Sequence, residues 1–235
     1  MHQQEQAQDV SEILNSLENL SLSDKKHPNN LTNTPTTRKH TPNKVQYIRS
    51  PSEKQVSDCT AAGILLFTTK EKSPGKKFIH FFIGMGKNQA EGWQHFGGKI
   101  EREDTTIEAC ALREFQEETY QCLDEDSVKL IKSQLNREHS FYLPHCKQLI
   151  FLAYLQEIPP MESFKERMST SEKKDTVDFK LDDFTCIKLS EMRRFFGQFV
   201  KKTKKDLIIM AKKMMTKESS STDTPHFKFE NKAKR

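Results

Sequence analysis

Three glutamates spaced three and four residues apart carry the clearest chemistry in this sequence. Glu114, Glu117 and Glu118 lie within the run ACALREFQEETY. On a helix, positions i, i+3 and i+4 share one face, so the three carboxylates would point the same way. Uncompensated like charges at this spacing destabilise a helix by about 0.2–0.5 kcal/mol. A hard divalent cation prefers such oxygen ligands, and the spacing therefore predicts a site for one.

The residues around these glutamates predict a helix that would position them. Thr105 and Glu108 fit a capping box that opens a helix. Residues 106–119 contain no Gly or Pro and are rich in good helix formers. Arg113 lies four residues before Glu117, where its guanidinium can hold that carboxylate in place.

A double glycine precedes the predicted helix. Gly97 and Gly98 follow a short predicted strand, Trp93–Phe96, and glycine lets backbone approach a ligand closely. The alternative for the glutamates alone is a solvated, charged helix. The strand, the double glycine and the cap together favour the site.

The segment 98–120 resembles a Nudix box, whose family pattern is Gly-x5-Glu-x7-Arg-Glu-apolar-x-Glu-Glu-x-Gly-apolar. Gly98 matches the opening glycine. The residues that match the core of the pattern are Arg113, Glu114, Phe115, Glu117 and Glu118. More loosely, the resemblance extends over Cys59–Phe196, where the flanking strands fall as a Nudix α/β/α sandwich with a mixed sheet needs them.

The box departs from the pattern in its loop. Gly98 to Arg113 is one residue longer, and the position of the first glutamate holds Thr105, just after Glu103 and Asp104. The extra residue is expected in the loop, since an insertion in the helix would rotate later residues by about 100°. The ion pair that this position usually makes with the arginine is therefore in doubt.

Two further departures lie at the ends of the box. Tyr120 stands at the closing glycine, followed by Gln121 instead of an apolar residue, and Phe96 replaces the common proline. The exit of the helix is therefore expected to differ from the family pattern. No departure removes a carboxylate of the cluster, which favours an active enzyme.

The resemblance implies a pyrophosphohydrolase that cleaves a phosphoanhydride in a nucleoside diphosphate-linked substrate with Mg²⁺ or Mn²⁺. It implies Glu114, Glu117, Glu118 and a backbone carbonyl at Gly98 as metal ligands. Glu118, Glu117 and Arg113 are the expected catalytic residues, with Glu118 our choice for a general base. A base outside the box is common in the family, and the weak candidates for it are Glu162, Glu172, Asp175 and Asp178.

Three residues near the box are predicted to bind substrate: Trp93, Phe96 and Lys99. Aromatic rings here could stack on a nucleobase. The alternative is that both rings are core residues.

The composition divides the chain into three parts. Residues 1–57 predict a disordered arm, because they are polar and hold four of the nine prolines. Within it, 9–22 has apolar residues at helical spacing, which suggests either a motif that folds on a protein partner or a helix docked on its own domain. Residues 58–200 predict the Nudix-like α/β domain. Residues 201–235 predict a basic amphipathic helix and tail.

The elements expected in the domain follow from the periodicity of apolar residues. Strands are expected at Thr60–Thr69, Lys77–Met85, Trp93–Phe96, Gln148–Gln156 and Phe184–Leu189, with a turn at Lys70–Gly75. Helices are expected at 106–119, Ser127–Leu135, Ser190–Val200 and Lys205–Met215. Met161–Lys180 is expected to be a long loop.

The C-terminal segment carries the positive charge of the chain. Residues 201–235 hold eleven Lys or Arg against four Asp or Glu, a net of +7 within an overall +5. Such a segment suits RNA phosphates, an anionic membrane or a partner groove, or packs on its own domain with solvated lysines. It favours an RNA 5′ end, capped or triphosphorylated, as substrate. The alternatives are a small nucleotide substrate (a dinucleotide, a nucleotide sugar or an oxidised nucleotide) and a non-catalytic Nudix-like module that binds nucleotide or RNA.

Several classes of protein are excluded by composition. No apolar run reaches the roughly 18 residues that an integral membrane segment needs, and the N-terminus lacks the features of a secretory signal. The five cysteines are odd in number and form no CxxC pair, which argues against a disulfide scaffold or zinc ribbon. The expected location is intracellular, cytoplasmic or nuclear.

Overall fold

The computed structural model describes residues 46–74, 76–87, 92–172, 175–184 and 187–220. Most of the predicted arm, including its amphipathic motif, lies outside these residues, as does the end of the predicted basic tail. Over the described ranges the chain forms one mixed sheet with helices on both faces, which confirms the predicted α/β class.

Eight strands form the sheet: β1 (Ile48–Arg49), β2 (Ala61–Ser73), β3 (Lys76–Gly86), β4 (Trp93–Gln94), β5 (Phe96–Lys99), β6 (Ser140–Leu143), β7 (Gln148–Tyr154) and β8 (Thr176–Asp183). The main path runs β1-β6-β7-β2-β3-β4, while β5 pairs with β2 and β8 with β3. Strands β2 and β7 are parallel, and the other pairs are antiparallel.

The helices are α1 (Glu53–Ser57), α2 (Ile107–Glu118), α3 (Glu125–Gln134), α4 (Met161–Thr170) and α5 (Arg194–Ser220). Short 3-10 turns lie at Arg137–His139 and Leu189–Glu191. Within the described residues, no helix combines the length and the apolar character needed to cross a bilayer.

Alternation along the strands gives the sheet two apolar faces, because successive side chains of a strand point to opposite sides. On β2, Ile64 and Leu66 join one core with residues of α2, α3 and α4, whereas Leu65 and Phe67 join the other core with α5. The result is a three-layer sandwich with the glutamate-bearing helix and the basic helix on opposite faces.

Most strong sequence patterns are confirmed. The strands expected at Thr60–Thr69, Lys77–Met85 and Gln148–Gln156 correspond to β2, β3 and β7, and the helix expected at Ser127–Leu135 is α3. The turn between β2 and β3 is shorter than expected, since β2 continues through charged residues to Ser73.

The expectation of a long loop at Met161–Lys180 is wrong. This segment contains α4 and most of β8, and it was misread because it is rich in charge. Helix α4 buries a single residue, Phe164. Strand β8 pairs with β3 along its length but buries few side chains, so its alternation is weak.

Two expectations nearer the C-terminus are also wrong. None of the described residues of Phe184–Leu189 lies in a strand, and residues 185 and 186 are outside the described ranges. The Phe184 amide donates to the Ile79 carbonyl at 2.9 Å, just past the end of β8, and a 3-10 turn begins at Leu189. The two expected terminal helices are one helix, α5. Thr203 bridges them, because it is buried and its hydroxyl donates to the Phe199 carbonyl at 2.8 Å.

The last residues of the predicted arm belong to the sheet. Ile48 pairs with Tyr142 at the β6 edge, and the Tyr47 ring packs edge-on against Phe141 and Phe199. Described residues on the N-terminal side of the predicted boundary at residue 57 are therefore part of the fold.

The described cysteines are free thiols: Cys59, Cys110, Cys122 and Cys146. Cys186 lies outside the described residues.

Candidate active site

Helix α2 carries the glutamates on a face beside its core contacts, toward strand β5. Cys110, Ala111 and Phe115 are buried against the sheet. Glu117 is half exposed, whereas the Glu114 side chain is only 16% exposed. Glu118 lies deepest of the three, against the backbone of β5 at Gly97. The three carboxylates therefore sit on one ridge at different depths.

The helix begins one residue later than the predicted capping box. Thr106 is the N-cap, and its hydroxyl accepts from the Ala109 amide at 3.0 Å. Thr105 and Thr106 are chemically equivalent caps, so the sequence could not choose between them. The later start leaves residues 101–106 to form the loop that absorbs the extra residue of the box.

That loop supplies a partner for Arg113 that the sequence analysis did not assign. Arg113 donates to both carboxylate oxygens of Asp104, from Nε at 3.0 Å and from Nη2 at 2.8 Å. The Asp104 side chain is only 4% exposed, and the Arg113 hydrogen bond lowers its pKa to about 2. The ion pair placed in doubt by Thr105 is therefore made by the preceding aspartate. The bidentate geometry fixes the plane of the guanidinium.

Arg113 in turn holds the box together. Its Nη1 donates to Glu114 at 3.0 Å and lies 3.5 Å from Glu117, and its Nη2 donates to the Lys99 carbonyl at 3.1 Å. One side chain thus joins the loop, the double-glycine strand and two of the three glutamates.

The double glycine of β5 permits a close approach that no other residue would. A Cβ added at Gly98 would lie 2.4–2.5 Å from the carboxylate atoms of Glu114, and one at Gly97 would lie 2.4 Å from the Ala62 carbonyl oxygen. The Gly97 amide donates to Glu118 at 2.6 Å. Backbone of β5 and carboxylates of α2 therefore face each other across one narrow gap.

Burial and crowding make the carboxylates costly to ionise. Burial raises the pKa of Glu118 to about 8; the Gly97 amide opposes this, while the charges of Glu114, Asp175 and Glu117 add to it. Burial also raises the pKa of Glu114. A divalent cation among these oxygens would supply the missing opposite charge, so the donor set fits one.

In this structure the three glutamate carboxylates interact with groups of the protein. Arg113 holds Glu114 and approaches Glu117, and the Gly97 amide holds Glu118. Among the described residues, no three acidic, His or Cys side chains already converge on one ion position. Ligation would require at least the exposed Glu117 to turn from the guanidinium.

The helix exit is formed by Tyr120 and Gln121, which stand where the family pattern has glycine and an apolar residue. Tyr120 and Gln121 both adopt left-handed backbone, with φ of 54° and 50°. Tyr120 thus takes the type of conformation for which glycine is favoured. Its ring meets Phe179 edge-on at 6.0 Å and its hydroxyl donates to the Thr176 carbonyl, which joins the helix exit to β8.

Of the acidic residues considered as a base outside the box, Asp175 has an electrostatic connection to the cluster. It is exposed at the start of β8, and its charge raises the pKa of both Glu118 and Tyr120. Asp178 instead pairs with Lys165 at 3.2 Å. Glu162 lies in the first turn of α4, and Glu172 just beyond that helix.

The residues predicted to bind substrate separate into core and surface. Phe96 is 1% exposed and packs between Phe82 and Phe115. Trp93 is buried, with Lys180 Nζ 4.5 Å from its ring centroid. The geometry favours the packing interpretation for both rings. Lys99 is exposed beside the box.

Comparison with protein families and solved structures shows which family the chain belongs to. The model of the NUDIX domain matches residues 60–198, more than half of the chain. No curated protein matches this chain. Among solved structures it is similar to a C. elegans Ap4A hydrolase binary complex, with 15% identity and a TM-score of 0.37, over 68% of this chain and 97% of that one; so distant a likeness carries no argument about substrate. On the family match and the residues of its box, the chain belongs to the Nudix family.

Proposed function

We propose that this protein is a metal-dependent Nudix pyrophosphohydrolase that cleaves a phosphoanhydride in a nucleoside diphosphate-linked substrate. The observation that carries the proposal is the facing arrangement of β5 and α2. Gly98 leaves no side chain between its backbone and Glu114, and the Gly97 amide holds Glu118. A non-catalytic module would not need three crowded carboxylates, two of which, Glu114 and Glu118, have a pKa raised by burial.

Nudix enzymes generally use divalent metal ions, and Mg²⁺ or Mn²⁺ is the ion we propose here. Glu114, Glu117, Glu118 and the backbone carbonyl of Gly98 would hold it. When bound, the ion neutralises diphosphate oxygens and orients a water for attack. The exposed position of Glu117 lets it change partner without disturbing the core.

Side chains of the protein then position the metal ligands and accept the proton of the attacking water. Arg113, fixed by Asp104, orients Glu114 and Glu117. Glu118 is our candidate to accept the proton of the attacking water, because it lies on the same face as the other two glutamates and the Gly97 amide fixes its carboxylate. Asp175 is the candidate outside the box.

The substrate divides into two classes. An RNA 5′ end, capped or triphosphorylated, is favoured by the exposed lysines of α5. A small nucleotide derivative would need only the box and its immediate surroundings, where Lys99 is exposed. A protein partner for residues 9–22 and a cytoplasmic or nuclear location remain predictions from the sequence.

A product assay tests the proposal. Purified protein with Mg²⁺ is offered capped RNA, triphosphorylated RNA, ADP-ribose, diadenosine polyphosphates and nucleoside triphosphates, and the products are separated. We expect metal-dependent release of a nucleoside mono- or diphosphate from at least one substrate. Binding of these compounds without any cleavage, in the presence of Mg²⁺ or of Mn²⁺, would favour the non-catalytic module instead.

A further inference from the structure

Helix α5 presents a basic side to solvent because its apolar side is used up in the core. Phe199, Leu207, Met210 and Met214 are all at most 4% exposed. Exposed lysines are spread over the rest of the helix surface, which we call the lysine face: Lys201, Lys204, Lys205 and Lys213.

The charge of the lysine face is not balanced on its own helix. Helix α5 contains eight Lys or Arg and two acidic residues. One of these acids, Asp206, is already occupied, since it accepts from the Tyr47 hydroxyl at 3.0 Å and from Arg49 at 3.4 Å. Its negative charge is therefore directed toward Tyr47 and toward Arg49 of β1, and the lysine face keeps an excess of positive charge.

The lysine face has the dimensions of a short nucleic-acid contact. Twelve residues separate Lys201 from Lys213, which on a helix is about 18 Å, the length of a few nucleotides. The beginning of α5 is tied to the strand leading into the box: the Arg193 amide donates to the Trp93 carbonyl at 2.9 Å, and its guanidinium donates to Gln94 at 2.9 Å. The start of α5 therefore lies directly beside β4, the strand that precedes β5.

An anionic membrane is a poorer fit than nucleic acid. Amphipathic helices that bind membranes insert an apolar face, but that face of α5 is packed on the sheet. Among the described residues of the helix, Ile209 is the large apolar side chain that is exposed, at 44%. What remains is a set of lysines spread over the exposed part of the helix, which suits a phosphate backbone that passes across it.

We propose that the lysine face of α5 binds the phosphate backbone of an RNA whose 5′ end occupies the site on the opposite face of the sheet. This inference rests on the RNA form of the proposed function. The box then binds the terminal phosphates of the RNA. The strand passes around the edge of the sheet, and the lysine face binds the nucleotides that follow. Small nucleotides reach the box without touching the lysine face.

The test replaces the lysine face in the full chain: Lys201→Gln, Lys204→Gln, Lys205→Gln and Lys213→Gln together. Affinity for a triphosphorylated single-stranded RNA is measured from about 50 to 200 mM salt. Each lost phosphate contact flattens the log–log slope by about 0.7, so four contacts predict a change of about 3. A matched control removes the same charge from α1, α3 and α4: Lys54→Gln, Lys129→Gln, Lys132→Gln and Lys165→Gln.

We expect the flattened slope in the lysine-face variant alone, with its thermal midpoint unchanged and a Lys→Arg version of the same four sites restoring the slope. An unchanged slope, or an equal loss in the control, would overturn the inference, and so would binding to phosphatidylserine vesicles without binding to RNA. Repeating the binding with Glu117→Gln separates the two proposals, since a failure of catalysis leaves the salt slope of RNA binding intact.

Discussion

At the scale of single residues, the site depends on one arginine with several partners. Arg113 was identifiable from its place in the box, but Asp104 was not assigned, because the loop that brings it to the guanidinium has no periodic pattern. The signal was present as an acidic residue just before Thr105, where the family pattern has glutamate. The structure shows that the extra residue shifts the ion pair without removing it.

Asp104→Asn should therefore impair the enzyme without unfolding it. The asparagine keeps one acceptor oxygen but loses the charge and the bidentate pair, so Arg113 holds Glu114 and Glu117 less firmly. Partners that orient metal ligands typically contribute about 10–100-fold to activity or metal affinity. Turnover and Mg²⁺ dependence measure the effect, with the exposed neighbour change Glu103→Gln as control. Equal activities for the two variants would show that the pair is dispensable.

His95 should make stability depend on pH. Burial lowers its pKa from 6.5 to about 3, its Nε2 lies 3.0 Å from Gln148 Nε2, and its Nδ1 has no hydrogen-bond partner in the structure. Below pH 6.5 the unfolded chain takes up a proton that the folded chain refuses, so stability falls with decreasing pH by about 1.4 kcal/mol per unit. Urea unfolding at pH 7, 6 and 5 should show a smaller decline for His95→Gln. Parallel declines would rule out His95 as the source.

At the scale of secondary-structure elements, the sequence predicted the strands and helices that have strong apolar patterns. It missed those whose position depends on hydrogen bonds to a neighbouring strand. Strands β2, β3 and β7 have apolar runs that identify them, whereas β8 is charged and its hydrogen bonds come from β3. Helix α2 was recognisable from its helix formers and its box. The backbone conformation at its C-terminal end was harder to predict, because neither Tyr120 nor Gln121 is a residue type that favours left-handed backbone.

Gln121→Gly should stabilise the protein. Gln121 is exposed, has φ of 50° and makes its backbone hydrogen bond through its amide, which glycine keeps. Relief of left-handed strain, less the greater entropy of glycine in the unfolded chain, gives a net gain of roughly 0.5–1 kcal/mol. Gln116→Gly, inside α2, is the matched control and should destabilise by about 1 kcal/mol. Chemical denaturation compares the two, and a loss of stability for Gln121→Gly would contradict the account.

Truncations should distinguish the described start of the fold from the boundary predicted by composition. A chain beginning at residue 46 keeps Tyr47 on Phe141 and Phe199, and Arg49 on Asp206. A chain beginning at residue 58 loses these contacts and should be less stable by about 2 kcal/mol or more. Thermal unfolding of both chains tests this. Equal midpoints would mean that β1 and α1 contribute nothing.

At the scale of the whole molecule, the sandwich separates two surfaces of opposite charge. The acidic ridge of α2 and the basic side of α5 lie on opposite faces of one sheet. Composition alone located the positive charge near the C-terminus but not its layer in the fold. Deletion of residues 201–235 would be an unsuitable test of this charge, because Leu207, Met210 and Met214 belong to the core.

The central claim is that the carboxylates of α2 bind metal for phosphoanhydride hydrolysis. Its most direct test is the Mg²⁺-dependent turnover of Glu117→Gln and Glu118→Gln, with Glu125→Gln on α3 as control and thermal unfolding to confirm the fold. The account predicts turnover lower by orders of magnitude for both box variants and unchanged for the control, since catalysis requires the metal's charge at the diphosphate. Folded Glu117→Gln and Glu118→Gln variants that both keep turnover within about threefold of the unaltered protein would contradict it.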